Sequence, residues 1–205
     1  MKLLIPLGGI GSRFKKFNYK LPKPLINAMG KPIIYWLLDN LNLSKISEII
    51  IPYNKELSNF NFEDVLKNKY NNYSFKFLKL ENNTRGAAET ILIALNLIND
   101  DNDLPILCLD GDNFYLTDII SLWNGENCIF SFKDYNTESI YSYLKINNNN
   151  IVNIKEKNKI SDNACTGAYA FKSWVTLKKY CKIIIENNIM QKNEFYTSTV
   201  IKQML

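Results

Sequence analysis

Glycines and positively charged residues come together near the start of the chain, in a pattern suited to holding phosphate. An apolar run ends at Leu7, three glycines follow within four residues, and Arg13 comes two residues after the last of them. Successive backbone N–H groups of such a turn can converge on an anion. Pro22 and Pro24 restrict the backbone on both sides of Lys23, which limits where its ammonium group can point. The spacing predicts a phosphate-binding loop completed by two cationic side chains.

Two familiar phosphate motifs do not match this loop. It is not a Walker A loop, because no Gly-Lys-Ser/Thr closes it, and it is not a dinucleotide fingerprint, because Phe14 stands where a third spaced glycine is needed. An ordinary turn after a strand is the remaining alternative. A solvated surface lysine needs no prolines on either side, so the setting of Lys23 favours phosphate binding.

Two carboxylates follow a second apolar run. Asp110 and Asp112 flank Gly111 directly after the strand-like segment 105–109. Side chains two residues apart lie on one face of an extended chain, so both carboxylates can reach one cation. Hard oxygen ligands of this kind suit Mg²⁺. The alternative is a polar turn in which Asp112 caps a helix near Asp118, and the presence of the phosphate loop favours the metal site.

Composition excludes several kinds of chemistry. The 205 residues contain no histidine and four scattered cysteines without a CxxC pair, so a zinc site and the Ser-His and Cys-His mechanisms are not expected. No apolar run approaches the roughly 20 residues that span a bilayer, and the N-terminus lacks a signal-peptide pattern. We therefore expect a cytoplasmic protein that makes no use of a membrane.

Positive charge is spread along the chain as lysine, and only two arginines occur. Arg13 and Arg85 both lie beside glycines in candidate binding loops, within a formal net charge of +5. Their planar guanidinium groups are suited to phosphate recognition. No arginine-rich patch with interleaved aromatic residues is present, so we do not expect nucleic acid as a partner.

Hydrophobic patterns predict an α/β fold. Strands are predicted at 2–7, 46–52, 75–80 and 105–109, and helices at 32–43, 62–70 and 84–98. This alternation indicates a parallel sheet covered on both faces. Further strands are predicted at 127–132, 140–146, 151–157 and 166–171, with an asparagine hairpin turn at 147–150. Helices are predicted from the N-cap Ser173 to about residue 187 and again at the end of the chain.

The sequence resembles the sugar-phosphate nucleotidyltransferases, which include the nucleotide-sugar pyrophosphorylases and their choline-phosphate cytidylyltransferase relatives. Pro6 replaces the alanine usual in that family, and Asn158 replaces a proline. The motifs that carry the resemblance occur in the family's order and are Gly8-Gly9-Ile10-Gly11-Ser12-Arg13, Pro22-Lys23-Pro24-Leu25, Gly30-Lys31-Pro32, Gly86-Ala87-Ala88-Glu89, Asp110-Gly111-Asp112-Asn113, Glu156-Lys157 and Thr166-Gly167.

The resemblance implies a Rossmann-like three-layer sandwich with a mostly parallel central sheet, as in nucleotide-diphospho-sugar transferases. It also implies a single nucleotidyltransferase domain over 1–205, with a nucleotide-binding half at 1–115 and an acceptor-binding half at 116–205. Family members are usually longer and often supply a second metal-binding acid from the additional region. The expectation therefore leaves open a longer polypeptide with an additional C-terminal domain, and also a homo-oligomer.

Site residues follow from the matched motifs. The nucleotide is expected at Leu7, Gly8, Gly9, Gly11, Ser12, Arg13, Lys23, Arg85, Gly86, Ala87 and Asp110. The acceptor is expected at Glu89, Asn113, Glu156, Lys157 and Gly167, although Glu89 has the alternative of complementing a helix dipole. Arg13, Lys23 and Asp112 are the expected catalytic residues, and Asp112 and then Asp110 are the expected Mg²⁺ ligands.

The implied activity is transfer of a nucleoside monophosphate from a nucleoside triphosphate, with CTP, UTP or dTTP preferred, to a sugar-1-phosphate or similar small phosphorylated acceptor. An acceptor phosphate oxygen attacks the α-phosphorus and pyrophosphate leaves in line, so catalysis needs positioning and charge neutralisation rather than a general base. Two alternatives stay open, a glycosyltransferase that uses a nucleotide-sugar and a non-catalytic, regulatory nucleotide-binding domain.

Overall fold

The structure is a computed structural model that describes residues 1–11, 14, 19–99 and 101–205. Its strands are β1 (Lys2–Leu4), β2 (Asn27–Ala28), β3 (Lys31–Pro32), β4 (Glu48–Asn54), β5 (Phe75–Leu80), β6 (Ile106–Leu109), β7 (Cys128–Lys133), β8 (Ser142–Asn147), β9 (Asn150–Glu156) and β10 (Asn163–Phe171). The α-helices among these residues are α1 (Ile33–Asp39), α2 (Phe62–Lys69), α3 (Ala87–Leu95), α4 (Ile119–Leu122), α5 (Trp174–Glu186) and α6 (Thr197–Met204). Short 3₁₀ helices lie at Lys23–Leu25, Leu43–Lys45 and Lys55–Phe60.

Eight strands form one mixed sheet in the order β5-β4-β1-β6-β10-β8-β9, and β7 also pairs with β10. The strands β5, β4, β1 and β6 are parallel neighbours. The strands β7, β8, β9 and β10 add antiparallel pairs in the second half of the chain. The predicted α/β class with a mostly parallel central sheet is confirmed.

Side-chain alternation along the central strands separates two hydrophobic clusters. Leu3 of β1 packs with residues of α1 and α2, whereas Leu4 packs with residues of α3, α5 and α6. Leu107 and Cys108 of β6 divide in the same way. Because successive residues of a strand face opposite sides, the sheet is the middle of three layers, as predicted.

The first strand is shorter than predicted because of Pro6. Leu4 is the last residue of β1, yet the backbone N–H groups of Ile5 and Leu7 still donate to Ile50 and Pro52 of β4. The backbone N–H groups of even-numbered residues in this segment point towards β6, as the bond from Lys2 to Pro105 shows. Pro6 has no N–H group to donate there. Pairing therefore continues on the β4 side and stops on the β6 side, which frees the chain to turn at the glycines.

Most other predicted elements are present with shifted ends. The helix predicted from 84 begins at Ala87, because Gly86 at its N-cap has a φ of 144°. The asparagine hairpin is confirmed, since Asn148 and Asn149 join β8 to β9 with φ values of 46° and 61°. Ser173 caps α5 by accepting a hydrogen bond from the Thr176 N–H at 2.8 Å, as predicted.

Strand β10 is shared between two neighbours on one of its edges. Its residues from Ala168 to Phe171 pair with β6, while Ala164 pairs with Tyr143 of β8. A register shift between Cys165 and Ala168 marks a bulge at this point. The end of β6 and the start of β8 therefore meet at the bulge of β10.

Among the described residues, none of the helices has the length and apolar character needed to cross a bilayer.

The start of α3 is held by a segment from the far end of the chain. The Phe195 N–H donates to the Arg85 carbonyl at 2.9 Å, and the Phe195 carbonyl accepts from the Ala88 N–H at 2.9 Å. The second bond satisfies one of the N–H groups that a helix leaves free in its first turn. A Cβ atom at Gly86 would lie 2.5 Å from the Phe195 carbonyl oxygen, so glycine is needed for this approach.

We predict that Gly86→Ala lowers the free energy of unfolding by about 2–3 kcal/mol, since alanine at this φ is strained and also meets the Phe195 backbone. Urea unfolding followed by circular dichroism measures the change. Gly9→Ala is the matched control, because a Cβ there meets nothing within 4 Å. Equal stability of the two variants would contradict the prediction.

Asp39 at the end of α1 makes several polar contacts on the other face of the sheet. It accepts hydrogen bonds from Tyr70 Oη at 2.7 Å and from Lys31 Nζ at 2.6 Å, and Lys69 Nζ lies 3.6 Å away. Partial burial favours the neutral acid, but the bonds from Lys31 and Tyr70 outweigh it and hold the pKa of Asp39 below its usual value.

We predict a pH-dependent effect of Asp39→Asn. Because the folded-state pKa is lowered, the stabilisation is present above the unfolded pKa of about 4 and is lost as the pH falls through the folded pKa. The variant should lose about 1 kcal/mol of unfolding free energy at pH 7 and show a smaller loss at pH 3. Denaturant unfolding at both pH values, with the exposed Asp101→Asn as control, tests this. A loss that does not depend on pH would contradict the assignment.

Candidate active site

The phosphate loop leaves the sheet at Leu7 and turns against the start of α3. Leu7 forms an isolated parallel bridge with Tyr53, which ends the pairing with β4. A Cβ atom at Gly8 would lie 2.5 Å from Thr90 Oγ1 and 3.0 Å from Thr84 Oγ1, two hydroxyls that lie 2.7 Å apart. The loop therefore packs directly on the segment 84–90, which contains other residues that the sequence predicted to bind the nucleotide.

The rest of the loop is open. Gly9 is exposed, and Gly11 has a φ of 62° that favours glycine. Ser12 and Arg13 lie outside the described residues. Their predicted contacts with the β- and γ-phosphates therefore stay predictions.

Arg85 and Glu89 pair with each other at the beginning of α3. Glu89 accepts from the Arg85 backbone N–H at 2.6 Å and from Arg85 Nε at 2.9 Å. Partial burial opposes ionisation, but these bonds hold the pKa of Glu89 below its ordinary value. The Arg85 guanidinium also lies 4.8 Å from the centre of the Phe195 ring. Glu89 thus places negative charge in the first turn of α3, in keeping with the helix-dipole alternative.

The ends of β1 and β6 converge at Gly111. A Cβ atom there would overlap Leu7 Cδ2, so only glycine lets the two loops approach this closely. The backbone N–H of the preceding Asp110 donates to the Gly167 carbonyl at 2.8 Å. Asp110 consequently lies between the end of β6 and the bulge of β10.

Asp110 is a partly buried carboxyl among other acids. Burial, with the charges of Asp112 and Glu156 added, raises the pKa of Asp110 to about 7, against the lowering effect of Lys23. A carboxyl group in this setting gains most from a nearby cation, because the positive charge offsets both the lost hydration and the repulsion. The site therefore favours a positive ion beside Asp110.

Lys23 and Asp112 are in direct contact although 89 residues separate them in the chain. Lys23 begins the 3₁₀ helix Lys23–Leu25, and its Nζ donates a hydrogen bond to Asp112 Oδ2. The same ammonium group lies 5.2 Å from the centre of the Phe14 ring. The structure thus brings together two of the three residues that the sequence predicted to be catalytic.

Gly167 and Asn113 form the opposite wall of this site. Gly167 has a φ of 80°, and a Cβ atom there would lie 2.5 Å from Asp110 Oδ2 and 3.0 Å from Asn113 Nδ2. Asn113 Nδ2 donates to the Thr166 carbonyl at 2.7 Å. Asn113 Oδ1 is buried and has no hydrogen-bond partner among the described residues. Such an oxygen is suited to accept a hydrogen bond from a ligand.

Glu156 and Lys157 lie at the end of β9. Glu156 is buried and accepts hydrogen bonds from Ser142 and, at 2.9 Å, from Ser198. Lys157 has a φ of 48°, and its Nζ donates to Tyr196 Oη at 2.9 Å. This hydrogen bond raises the pKa of Lys157.

Four residues around the site were not found from the sequence. Ser142 precedes no recognisable motif. Tyr196 and Ser198 belong to a terminal segment that was predicted only to be helical, and Phe195 comes just before it. Gly86 was predicted to contact the nucleotide and not the Phe195 backbone that lies against it. The residues missed are Ser142, Phe195, Tyr196 and Ser198.

A divalent cation would find two carboxylates here. Among the described residues, no group of three or more histidine, cysteine or acidic side chains is arranged around one metal position. Asp110 and Asp112 nevertheless suit Mg²⁺, which is commonly held by one or two carboxylates, with waters and substrate phosphates as the remaining ligands. The raised pKa of Asp110 and the contact between Asp112 and an ammonium group both fit a place for positive charge.

Solved structures share this fold. The nucleoside-diphosphate-sugar pyrophosphorylase from Vibrio cholerae superposes with a TM-score of 0.81 and 21% sequence identity, over 98% of this chain and 86% of that one. At this identity the likeness concerns the fold.

Sequence relatives are longer than this chain. The bifunctional protein GlmU of Methanococcus vannielii is 27% identical over 160 residues, which are 77% of this chain and 35% of the relative. D-glycero-alpha-D-manno-heptose 1-phosphate guanylyltransferase of Aneurinibacillus thermoaerophilus is 26% identical over 121 residues, 58% of this chain and 49% of the relative. The chain thus spans less than half of the length of each of these curated relatives.

A family model described as nucleotidyl transferase matches residues 2–200, nearly the whole chain. The match includes the glycine-rich loop, the aspartate pair and the residues predicted to bind the acceptor. The chain therefore belongs to the nucleotidyl transferase family, as its sequence motifs predicted.

Proposed function

We propose that this protein transfers a nucleoside monophosphate from a nucleoside triphosphate to a sugar-1-phosphate and releases pyrophosphate. The contact between Lys23 and Asp112 is the observation that carries the proposal. The Lys23 ammonium group follows the glycine-rich loop in the chain, and the Asp112 carboxylate follows β6. One reacting centre therefore has both a positive group for phosphate and a carboxylate for a metal.

Charge neutralisation is the main task of these residues. The acceptor phosphate and the α-phosphate are both anionic and repel each other as they approach. Lys23 is proposed to lie between them, and the N–H groups of the glycine-rich loop, together with Arg13, are proposed to hold the β- and γ-phosphates. The attacking oxygen is already an anion, so the absence of histidine from the chain is compatible with this reaction.

Mg²⁺ is the proposed cofactor, held by Asp112 and Asp110. When bound, it would neutralise phosphate charge and orient phosphate oxygens. Asp112 accepts a hydrogen bond from Lys23, so the carboxylate that would hold the metal also positions the ammonium group proposed for the phosphates.

The acceptor side favours a ligand that is rich in hydroxyl groups. Asn113 Oδ1 is buried and unpartnered among the described residues, and both hydrogen bonds recorded for the Glu156 carboxylate fall on Oε2, leaving Oε1. Both oxygens can accept hydrogen bonds from the donors of a ligand. A sugar supplies several, whereas a trimethylammonium group such as that of choline supplies none. We therefore place a sugar-1-phosphate ahead of choline phosphate among the candidates.

The nucleotide is proposed to be CTP, UTP or dTTP, and GTP is added to this set. Gly86 and Ala87, the residues proposed to meet the base or ribose, offer backbone groups and a methyl side chain rather than a charge that selects one base. The presence of a guanylyltransferase among the relatives supports testing GTP beside the pyrimidine nucleotides.

A pyrophosphate-release assay with Mg²⁺ tests the proposal, with each of CTP, UTP, dTTP, GTP and ATP combined with sugar-1-phosphates and small organic phosphates. We expect a signal that requires one triphosphate together with one acceptor. Triphosphate binding without turnover over the full panel would instead support a regulatory nucleotide-binding domain. Transfer of sugar from a nucleotide-sugar without pyrophosphate release would support a glycosyltransferase.

We predict that Lys23→Ala and Asp112→Ala each reduce kcat at least about 100-fold while the protein stays folded, because each removes charge compensation at the transferred phosphate. Steady-state kinetics with the productive pair measures the loss, and circular dichroism checks the fold. Lys145→Ala and Asp101→Ala, which change exposed residues of the same types, should keep wild-type rates. Near-normal kcat in either site variant would remove that residue from the catalytic set.

A further inference from the structure

Glu156 is a buried carboxylate that is held by hydroxyl groups instead of a cation. Ser142 Oγ and Ser198 Oγ both donate to its Oε2, the second at 2.9 Å. The exposed fraction is 9% for Glu156, 8% for Ser142 and 0% for Ser198. No ion pair recorded among the described residues includes Glu156. Burying a carboxylate without a positive partner is costly, so hydrogen bonds must compensate for the lost water.

The distribution of these bonds gives the carboxylate a defined orientation. Both hydroxyls bind the same oxygen, Oε2, and no hydrogen bond to Oε1 is recorded within the described part of the chain. An oxygen with two donors cannot rotate away without losing both. Oε1 is consequently the oxygen left for another donor, on the side chain that the resemblance assigns to the acceptor.

The two serines come from elements that are far apart in the sequence. Ser142 begins β8 and lies opposite Glu156 in the β8–β9 register. Ser198 is the second residue of α6, and its hydroxyl reaches Glu156 instead of capping its own helix. Tyr196, two residues before Ser198, accepts a hydrogen bond from Lys157, the residue after Glu156. The sheet and helix α6 thus each supply one hydroxyl group to the Glu156 carboxylate.

We propose that Ser142 and Ser198 are positioning residues for acceptor recognition, which fix Oε2 of Glu156 so that Oε1 accepts a hydrogen bond from a hydroxyl group of the acceptor. The inference rests on the proposed function, because it needs an acceptor at Glu156. Neither serine contacts the reacting phosphates in this scheme. Their loss should therefore weaken acceptor binding without changing the chemical step.

Steady-state kinetics of Ser142→Ala and Ser198→Ala tests the inference, with the triphosphate and sugar-1-phosphate that the wild-type protein uses. We expect the KM for the sugar-1-phosphate to rise about tenfold in each variant. The KM for the triphosphate and kcat should stay within about twofold of wild type. Ser142→Thr retains the hydroxyl in a strand that tolerates β-branching and should restore the wild-type KM.

Thr199→Val is the matched control. Thr199 is the neighbour of Ser198 in α6 and is also buried, but its hydroxyl accepts from Gln191 Nε2 at 2.9 Å instead of binding Glu156. This variant loses a buried hydroxyl from the same helix and should keep the wild-type KM for the acceptor. A general loosening of α6 would raise the KM in Thr199→Val as much as in Ser198→Ala, and would overturn the inference.

The outcomes separate this inference from the proposed function. An active wild-type protein whose acceptor KM is unchanged in both alanine variants would overturn the inference alone. A wild-type protein without turnover for any pair would overturn the proposed function and the inference with it. If Ser198→Ala does not fold, the comparison of Ser142→Ala with Ser142→Thr tests the inference. Positioning by the hydroxyl predicts a raised KM for the sugar-1-phosphate in Ser142→Ala and a normal one in Ser142→Thr, and any other result would overturn the inference.

Discussion

Hydrogen bonding of β1 between β4 and β6 is the constraint on which the whole site depends. Lys2 and Leu4 pair in parallel with both neighbours, so the loops that follow β1 and β6 emerge at the same edge of the sheet. Ligands of open α/β sheets bind outside this edge. The lack of an N–H at Pro6 ends the pairing on the β6 side, and the chain can then turn into the phosphate loop. Gly111 lets the second loop come close enough for Lys23 and Asp112 to meet.

The second half of the chain completes the site through an irregularity in its sheet. The bulge in β10 replaces one side chain with Gly167, and the space that a Cβ would fill is taken by Asp110 and Asn113. The Asp110 carboxyl group is thereby partly shielded from water beside other acids, and both effects raise its pKa. The same bulge separates the part of β10 that pairs with β6 from the part that approaches β8. The end of β6 and the start of β8, where Ser142 lies opposite Glu156, consequently meet along one edge of β10.

The sequence predicted correctly those features that depend only on neighbouring residues in the chain. The glycine-rich loop, the aspartates around Gly111 and the left-handed asparagine turn all depend on backbone preferences of neighbouring residues. The ends of elements were less predictable, because Gly86 and Pro6 act through partners elsewhere in the fold. Ser198 could not be identified, since its role requires β9 to end beside α6, a contact between residues 42 positions apart. Phe195 was missed for the same reason, because it acts through backbone groups that any residue type possesses.

The attachment of Phe195 to α3 also has a consequence for how the protein is made. During synthesis, β1, β4, β5 and β6 emerge early and can form their parallel core, because their pairing needs only the first half of the chain. Helix α3 emerges with them, yet the Ala88 N–H has no Phe195 carbonyl to bind until almost 110 further residues have been added. Contacts of such wide sequence separation form late in folding. The segment that completes the start of α3 is therefore synthesised near the end, and a chain that stops before Phe195 lacks its hydrogen bonds to Arg85 and Ala88.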